Sequence, residues 1–227
     1  MRLPECITID GPAGSGKSTV GQQLAQKLGY LYIDTGAMYR AVAWLALQQH
    51  TDIVDGPALA DLAQQATVII SRPTQNDDRQ YTITANGQDI TWEIRTAEVT
   101  RAVPTISAHP ELRAVLRAQQ RTMAQQPPGV VMVGRDIGSV VLPDAKLKIY
   151  LTASLEERAR RRYTELLERN EAANSQPSLE CVIDDIRRRD TLDHERMYPA
   201  PDAIVIMSDN LTVSQVLEVI YSYLEAK

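Results

Sequence analysis

Residues Gly11–Ser18, GPAGSGKS, fit the pattern G-x-x-x-x-G-K-[ST]. They follow the apolar run ECITID at 5–10 and precede a segment in which Val20, Leu24 and Leu28 recur every four residues, the spacing of an amphipathic helix. Strand, glycine-rich turn and helix in that order let backbone amides close around phosphate oxygens, with the helix N-terminus adding its partial positive charge. Lys17 is placed to reach the β- and γ-phosphates, and the Ser18 hydroxyl to hold the Mg²⁺ that accompanies them. A glycine-rich turn of purely structural use would require neither side chain. The contact set for ATP or GTP is therefore Gly11, Pro12, Ala13, Gly14, Ser15, Gly16, Lys17, Ser18 and Thr19. What happens to the γ-phosphate is left open by the motif itself.

Around this start the chain alternates as an α/β fold should. Gly29 is a fitting helix stop before the short strand YLYID at 30–34, and the next helix begins near Thr35 with Met38, Val42 and Leu45 on one face. Another helix runs from about Asp55 to Ala66. The period then changes: TVIIS at 67–71, YTITA at 81–85 and QDITW at 88–92 predict three antiparallel strands, the last two joined at Asn86-Gly87. Helices follow from about Thr96 to Ala108 and from Pro110 to Gln126. GVVMVG at 129–134, LKIYLT at 147–152 and AIVIM at 203–207 are apolar runs of strand length, suited to a parallel sheet covered on both faces. Ser154 with Glu157, and Thr212 with Gln215, open two more helices by a capping-box pattern. Val216, Val219, Ile220 and Tyr223 are expected to face inward, and EAANSQPS at 171–178 reads as a mobile connection.

Length and charge narrow the class. Two hundred and twenty-seven residues permit one domain with a satellite, and no stretch approaches the ~20 apolar residues of a membrane span. Two cysteines, Cys6 and Cys181, make neither a disulfide framework nor a zinc site, so a reduced, cytoplasmic chain is expected. A net charge of −5 argues against nucleic acid and anionic lipid as partners. Yet 19 of the 24 basic residues are arginine, the side chain preferred where a planar fork must grip phosphate oxygens. On a helix turning about 100° per residue, Arg189, Asp193 and Arg196 share one face, behind a buried stripe of Leu179, Val182, Ile183 and Ile186. Arg158, Arg161 and Arg162 cluster likewise, with Arg160 pointing away. Either set is also compatible with a solvated charged face held by pairs such as Arg189 with Asp193. No N-K-x-D segment is present, which removes a guanine-specific switch, and motor or transporter ATPases need more chain.

DTGAMYR at 34–40, EIRTAEV at 93–99, GRDIGSVVLPDA at 134–145, ERARRR at 157–162 and RDTLDHER at 189–196 resemble the bacterial cytidylate kinases, in that order and spacing. With GPAGSGKS they span nearly the whole chain. The resemblance implies a P-loop kinase whose parallel sheet is flanked by helices. It adds an inserted acceptor-binding subdomain with a small antiparallel sheet at about 63–126 and a short helical lid at 155–175. It further implies transfer of the γ-phosphoryl of ATP to CMP or dCMP, with Mg²⁺, in a monomer.

By the same resemblance Arg40, Arg135, Arg189 and Arg196 would surround the CMP phosphate, Asp193 would accept from the ribose hydroxyls, and Arg113 and Asp136 would read cytosine. Lys17, Arg135, Arg158, Arg161, Arg162 and Arg189 would serve the transfer. Thr35 keeps a hydroxyl where many relatives have serine. Asp34 is a candidate for the Mg²⁺ shell beside Ser18, or else a helix cap. Pro104 and Val133 depart from the family pattern, which carries a serine and an acidic residue there. The remaining alternatives are a P-loop kinase for another nucleoside monophosphate or small molecule, and a nucleotide-binding regulator without acceptor chemistry.

Overall fold

The computed structural model describes residues 3–168 and 178–225. Five strands form one sheet in the order β2-β6-β1-β7-β8, where β1 is Cys6–Asp10, β2 Leu31–Asp34, β6 Val130–Gly134, β7 Leu147–Thr152 and β8 Ile204–Met207. Its strand pairs run parallel, with Ile7 opposite Leu147, Leu31 opposite Val130 and Ile149 opposite Ile204. A second sheet, β3 (Val68–Ser71), β4 (Thr82–Ala85) and β5 (Gln88–Asp89), is antiparallel. The chain divides into two compact units, Met1–Leu24 with Gly134–Lys227, and Ala25–Val133.

In the first unit β1 and β7 are covered on both faces: Ile7, Ile9, Leu147, Ile149 and Leu151 are buried on one, and the polar Thr8, Asp10 and Lys148 on the other. The helix α1 (Lys17–Leu28) leaves the glycine-rich turn, and α6 (Leu155–Glu168) pairs with α7 (Leu179–Asp193) through Ala159, Val182 and Ile186. Leu179, expected in that stripe, is exposed, because it stands in the first turn after the Ser178 cap. The capping pair at the last helix, α8 (Val213–Glu225), forms reciprocally: the Thr212 amide donates to Gln215 and the Gln215 amide to Thr212. On α8 Leu217 and Leu224 join Val216 and Ile220 inside, while Tyr223 lies outward, one residue off the buried arc. Of the segment read as a mobile connection, residues 171–177 lie outside the described residues, as do 169–175 of the expected lid.

The second unit contains α2 (Thr35–Gln48), α3 (Gly56–Gln65), α4 (Ala97–Ala108) and α5 (Pro110–Met123). Pro110 occupies the first turn of α5, where its missing amide costs nothing. Pro104 lies inside α4 and is exposed. The strand expected over 88–92 stops at Asp89, because Thr91 turns its side chain into the ladder: the Ile83 amide donates to Thr91 Oγ1, which donates to Asp89 at 2.6 Å. Arg79 is buried against this turn. Its Nε and Nη2 fork onto Asp77 at 2.6 and 2.7 Å, and its Nη1 reaches Asp89 at 2.6 Å.

The Arg79 bonds, followed by that from Trp92 Nε1, hold the Asp77 carboxyl well below the usual carboxylate range. Burial pushes Asp89 upward, but the bonds from Arg79 and Thr91 outweigh it and its carboxyl is also depressed. Depressed carboxylates contribute stability above their unfolded pKa and lose it as the pH falls through the folded value. Arg79→Met, which leaves two carboxylates facing one another, should lower the urea midpoint near pH 7, and the deficit should shrink between about pH 5 and pH 3. An equal deficit at both ends of that range would mean that packing, not the ion network, holds the turn.

Candidate active site

At the end of β1 the chain enters a turn that only glycine allows. Gly11 and Gly14 have φ of +145° and +77°. A Cβ on Gly11 would stand 1.9 Å from the Leu151 carbonyl oxygen, and one on Gly14 would stand 3.0 Å from the Arg158 carbonyl. The loop is therefore packed against β7 and α6 closely enough to exclude side chains at both points. Lys17, the first residue of α1, folds back over it and donates Nζ to the Pro12 carbonyl at 2.6 Å and to Ser15 Oγ at 3.4 Å. Ser15 and Lys17 are buried, and Ala13, Gly16 and Ser18 half-buried.

Asp10, the residue before the loop, is a buried carboxylate that the sequence reading did not single out. Its Oδ1 accepts from the Ile137 amide at 2.8 Å and its Oδ2 from the Gly138 amide at 2.7 Å. These bonds tie the end of β1 to the segment that follows β6, where a π-helical turn spans Ile137–Val141. Gly138 fits there because a Cβ would meet Thr8 Oγ1 at 2.7 Å. Arg135 and Asp136 immediately precede the tethered amides. Arg135 donates Nε to Asp193 at 3.0 Å and Nη1 to the Gly11 carbonyl at 3.3 Å. Asp136 is buried and its carbonyl accepts from the Val140 amide. One charged segment thus touches both the glycine-rich loop and the end of α7.

The arginines of α6 and α7 divide by partner. Arg158 is buried, with Nε on the Ala153 carbonyl, Nη1 on the Ala13 carbonyl at 3.1 Å, and a fork onto Asp190 at 3.0 and 2.7 Å. Arg161 bridges Glu157, Ser208 and, at 3.4 Å, the Ser15 carbonyl. Both brace carbonyls of the loop, so its amides remain directed elsewhere. Arg162 pairs with Glu165, and Arg160 turns outward to Glu157, as the helical wheel required. Arg189 pairs with Asp185, not with Asp193 as the spacing suggested, since Asp193 is taken by Arg135. α7 ends at Asp193, and Arg196 lies in the 3-10 turn His194–Arg196, so the common helical face assumed for it does not exist.

In the second unit Thr35 opens α2, and its hydroxyl donates to the Val133 carbonyl at 2.9 Å. Asp34 caps the same helix by accepting from the Gly36 amide at 3.0 Å. Arg40 donates Nη1 to the Ile94 carbonyl at 3.2 Å and to Thr100 Oγ1 at 2.9 Å. Arg113 is buried, stacks over Tyr39 with 5.7 Å from guanidinium carbon to ring centroid, and donates to the Ser107 carbonyl.

The family model described as cytidylate kinase matches residues 7–226. The cytidylate kinase of Roseiflexus castenholzii is 48% identical over 221 residues, 97% of this chain and 93% of that protein. That of Herpetosiphon aurantiacus is 48% identical over 220 residues, 97% and 94% of the two chains. The chain belongs to the cytidylate kinase family. As such it is a nucleotide-binding phosphotransferase. A crystal structure of shikimate kinase from Bacteroides thetaiotaomicron superposes with a TM-score of 0.50 at 14% identity, covering 97% of this chain and 98% of that one, a likeness of fold.

Within this kinase the residues that sequence reasoning missed are Asp190 and Ser208, which accept from Arg158 and Arg161, and Asp10, which accepts the amides just after Arg135 and Asp136. A carboxylate closing an apolar strand, with no helix following at capping distance, was the available signal for Asp10. Burial lifts the Asp10 carboxyl from 3.8 to about 6 against the pull of the Gly138 and Ile137 amides, with Asp136 adding to the rise and Lys17 opposing it. A raised carboxyl stabilises the folded chain below its unfolded pKa and loses that contribution as the pH climbs through the folded value. The stability of the wild type relative to Asp10→Asn should therefore fall by about 2 kcal/mol between pH 4 and pH 7. Urea midpoints for both proteins across that range check it, and a constant difference would mean that Asp10 does not titrate there.

Proposed function

We propose that the chain transfers the γ-phosphoryl group of ATP to CMP or dCMP, giving ADP and CDP or dCDP. The observation that carries this reading is Arg135, whose guanidinium spans from the Gly11 carbonyl to Asp193. It joins the donor loop to the residue proposed to hold the acceptor ribose. The acceptor phosphate carries nearly two negative charges at neutral pH and needs no general base. This suits the separation of His50, His109 and His194 along the chain. What the reaction requires is that two polyanions be brought together, which calls for positioned cations.

In this reading the amides of residues 11–19 enclose the ATP phosphates, and Lys17 exchanges its contact with Pro12 for the β- and γ-phosphates. Arg40, Arg135, Arg189 and Arg196 receive the CMP phosphate. The pair between Arg189 and Asp185 is partly exposed, worth a few tenths of a kcal/mol, and is given up at little cost. Arg161 and Arg162 lie over the transferring group, with Arg158 holding the loop beneath it. Thr35, Arg113 and Asp136 contact the nucleoside. A carboxylate accepts from the exocyclic amine of cytosine and repels the oxygen that replaces it in uracil, which gives Asp136 the means to discriminate.

No cluster of three or more His, Cys, Asp or Glu suited to a metal occurs among the described residues. The half-buried Ser18 hydroxyl would hold the Mg²⁺ that accompanies the nucleotide, and Asp34, which also caps α2, would hold a water of its shell. When bound, the ion supplies charge neutralisation at the phosphates.

ADP formation with CMP, dCMP, UMP, AMP, GMP and no acceptor tests the reading; equal rates with and without CMP would sink it. Lys17→Ala should lower kcat by about two orders of magnitude in a folded protein. Arg189→Ala and Arg196→Ala should each reduce kcat/KM for CMP about 30-fold or more, whereas Arg160→Ala should change it little. A comparable loss at Arg160 would return all three to a solvated face. Asp136→Ala should narrow the CMP/UMP ratio far more than Pro104→Ser, since a hydrogen bond at Pro104 is worth about 1 kcal/mol and a buried carboxylate clash several times that. Unchanged selectivity in Asp136→Ala would move base reading to other residues.

A further inference from the structure

The segment EIRTAEV at 93–99 takes no part in the roles assigned above, yet it presents an arginine in an unusual setting. Arg95 closes the 3-10 turn Glu93–Arg95, and Thr96 behind it caps α4. Its guanidinium carbon lies 5.6 Å from the ring centroids of both Tyr81 and Trp92. Its one hydrogen bond is a long one, from Nη2 to the Tyr81 hydroxyl at 3.4 Å, and its Nε is buried without a partner among the described residues. No carboxylate lies within ion-pair distance of it there. Arg79, in the same subdomain and also near Trp92, has two.

The turn that carries Arg95 is held by Arg40. The carbonyl that accepts from Arg40 belongs to Ile94, the neighbouring residue. Both guanidiniums act on the Tyr81 hydroxyl, whose pKa burial and Asp34 push up while Arg95 and Arg40 draw it back. Burying an arginine nitrogen without an acceptor costs free energy, and Arg95 Nε carries that cost. An anion with several acceptor oxygens bound beside this turn would supply the acceptor that Arg95 lacks and would lie next to the residue whose carbonyl Arg40 holds. A phosphate presents pairs of oxygens spaced to accept both arms of a planar guanidinium fork. The rings of Tyr81 and Trp92 meanwhile fix Arg95 in place, so little side-chain entropy is left to lose on binding.

We propose that Arg95 is a further binding residue for the acceptor nucleotide's phosphate, acting with Arg40. This rests on the reading of Arg40 as a phosphate ligand. The test measures equilibrium affinity for CMP, and thermal melting, in the full chain for the wild type, Arg40→Met, Arg95→Met and Arg95→Lys. Methionine keeps the stacking on Tyr81 and Trp92 and removes the charge; Arg95→Gln serves the same purpose if the methionine variant does not fold.

Arg95→Met should weaken CMP binding about tenfold or more with melting little changed, and Arg95→Lys should recover part of the loss. An Arg95→Met variant within about threefold of the wild type would overturn the proposal. So would a loss that lysine does not relieve and that follows a fall in melting temperature, which would make Arg95 a packing residue. If Arg40→Met also binds CMP normally, the assignment of Arg40 fails first. A wild type that binds another nucleoside monophosphate and not CMP overturns the acceptor identity alone, and the same Arg95 comparison is then read with that nucleotide.

Discussion

The carboxylate of Asp10 joins the two stretches of chain on which the first unit's chemistry depends. It ends β1 one residue before the glycine-rich loop and accepts the amides of Ile137 and Gly138, so the loop and the Arg135–Asp136 segment hang from one buried group. A carboxylate there costs desolvation, visible in its raised pKa, and the two amide bonds offset only part of that cost. A neutral acceptor would avoid the cost but would satisfy one amide and face the other with a donor. The tether thus adds to the β6 ladder in fixing the backbone from which Arg135 reaches Gly11 and Asp193.

Bracing of the loop follows the same economy. Its amides can converge on phosphate only if its carbonyls are held by something else. Arg158 and Arg161 take the Ala13 and Ser15 carbonyls, and Asp190 and Glu157 in turn hold those two guanidiniums. The guanidinium at 158 is already saturated by protein acceptors, whereas those at 162 and 189 are held by exposed carboxylates three or four residues away. That contrast separates an arginine locked into the fold from arginines whose pairs break at little cost, because a buried forked pair is far costlier to break than a half-exposed one.

The second unit repeats the logic with different means. Arg95 lies over Tyr81 and Trp92, so aromatic faces supply part of the stabilisation that carboxylates supply elsewhere. Arg79 shows the alternative outcome: enclosed by Asp77 and Asp89, it holds a turn together and has no capacity left for a ligand.

The sequence by itself determined the loop, the order of strands and helices, the hairpin at Asn86-Gly87, the helix starts near Asp55 and Thr96, and the caps at Ser154 and Thr212, because each depends on residues close together in the chain. It also separated Arg160 from Arg158, since faces of a regular helix follow from spacing alone. It misjudged Arg196 where the helix ended early, and Tyr223 by one position at the margin of a buried arc. Which carboxylate each arginine meets was decided only by tertiary structure. Asp193 is four residues from Arg189 and fifty-eight from Arg135, and it pairs with Arg135. Local spacing fixes what a side chain is able to reach on its own helix, while the partner it takes depends on strands that bring distant segments to the same carboxylate, a proximity that no periodicity encodes.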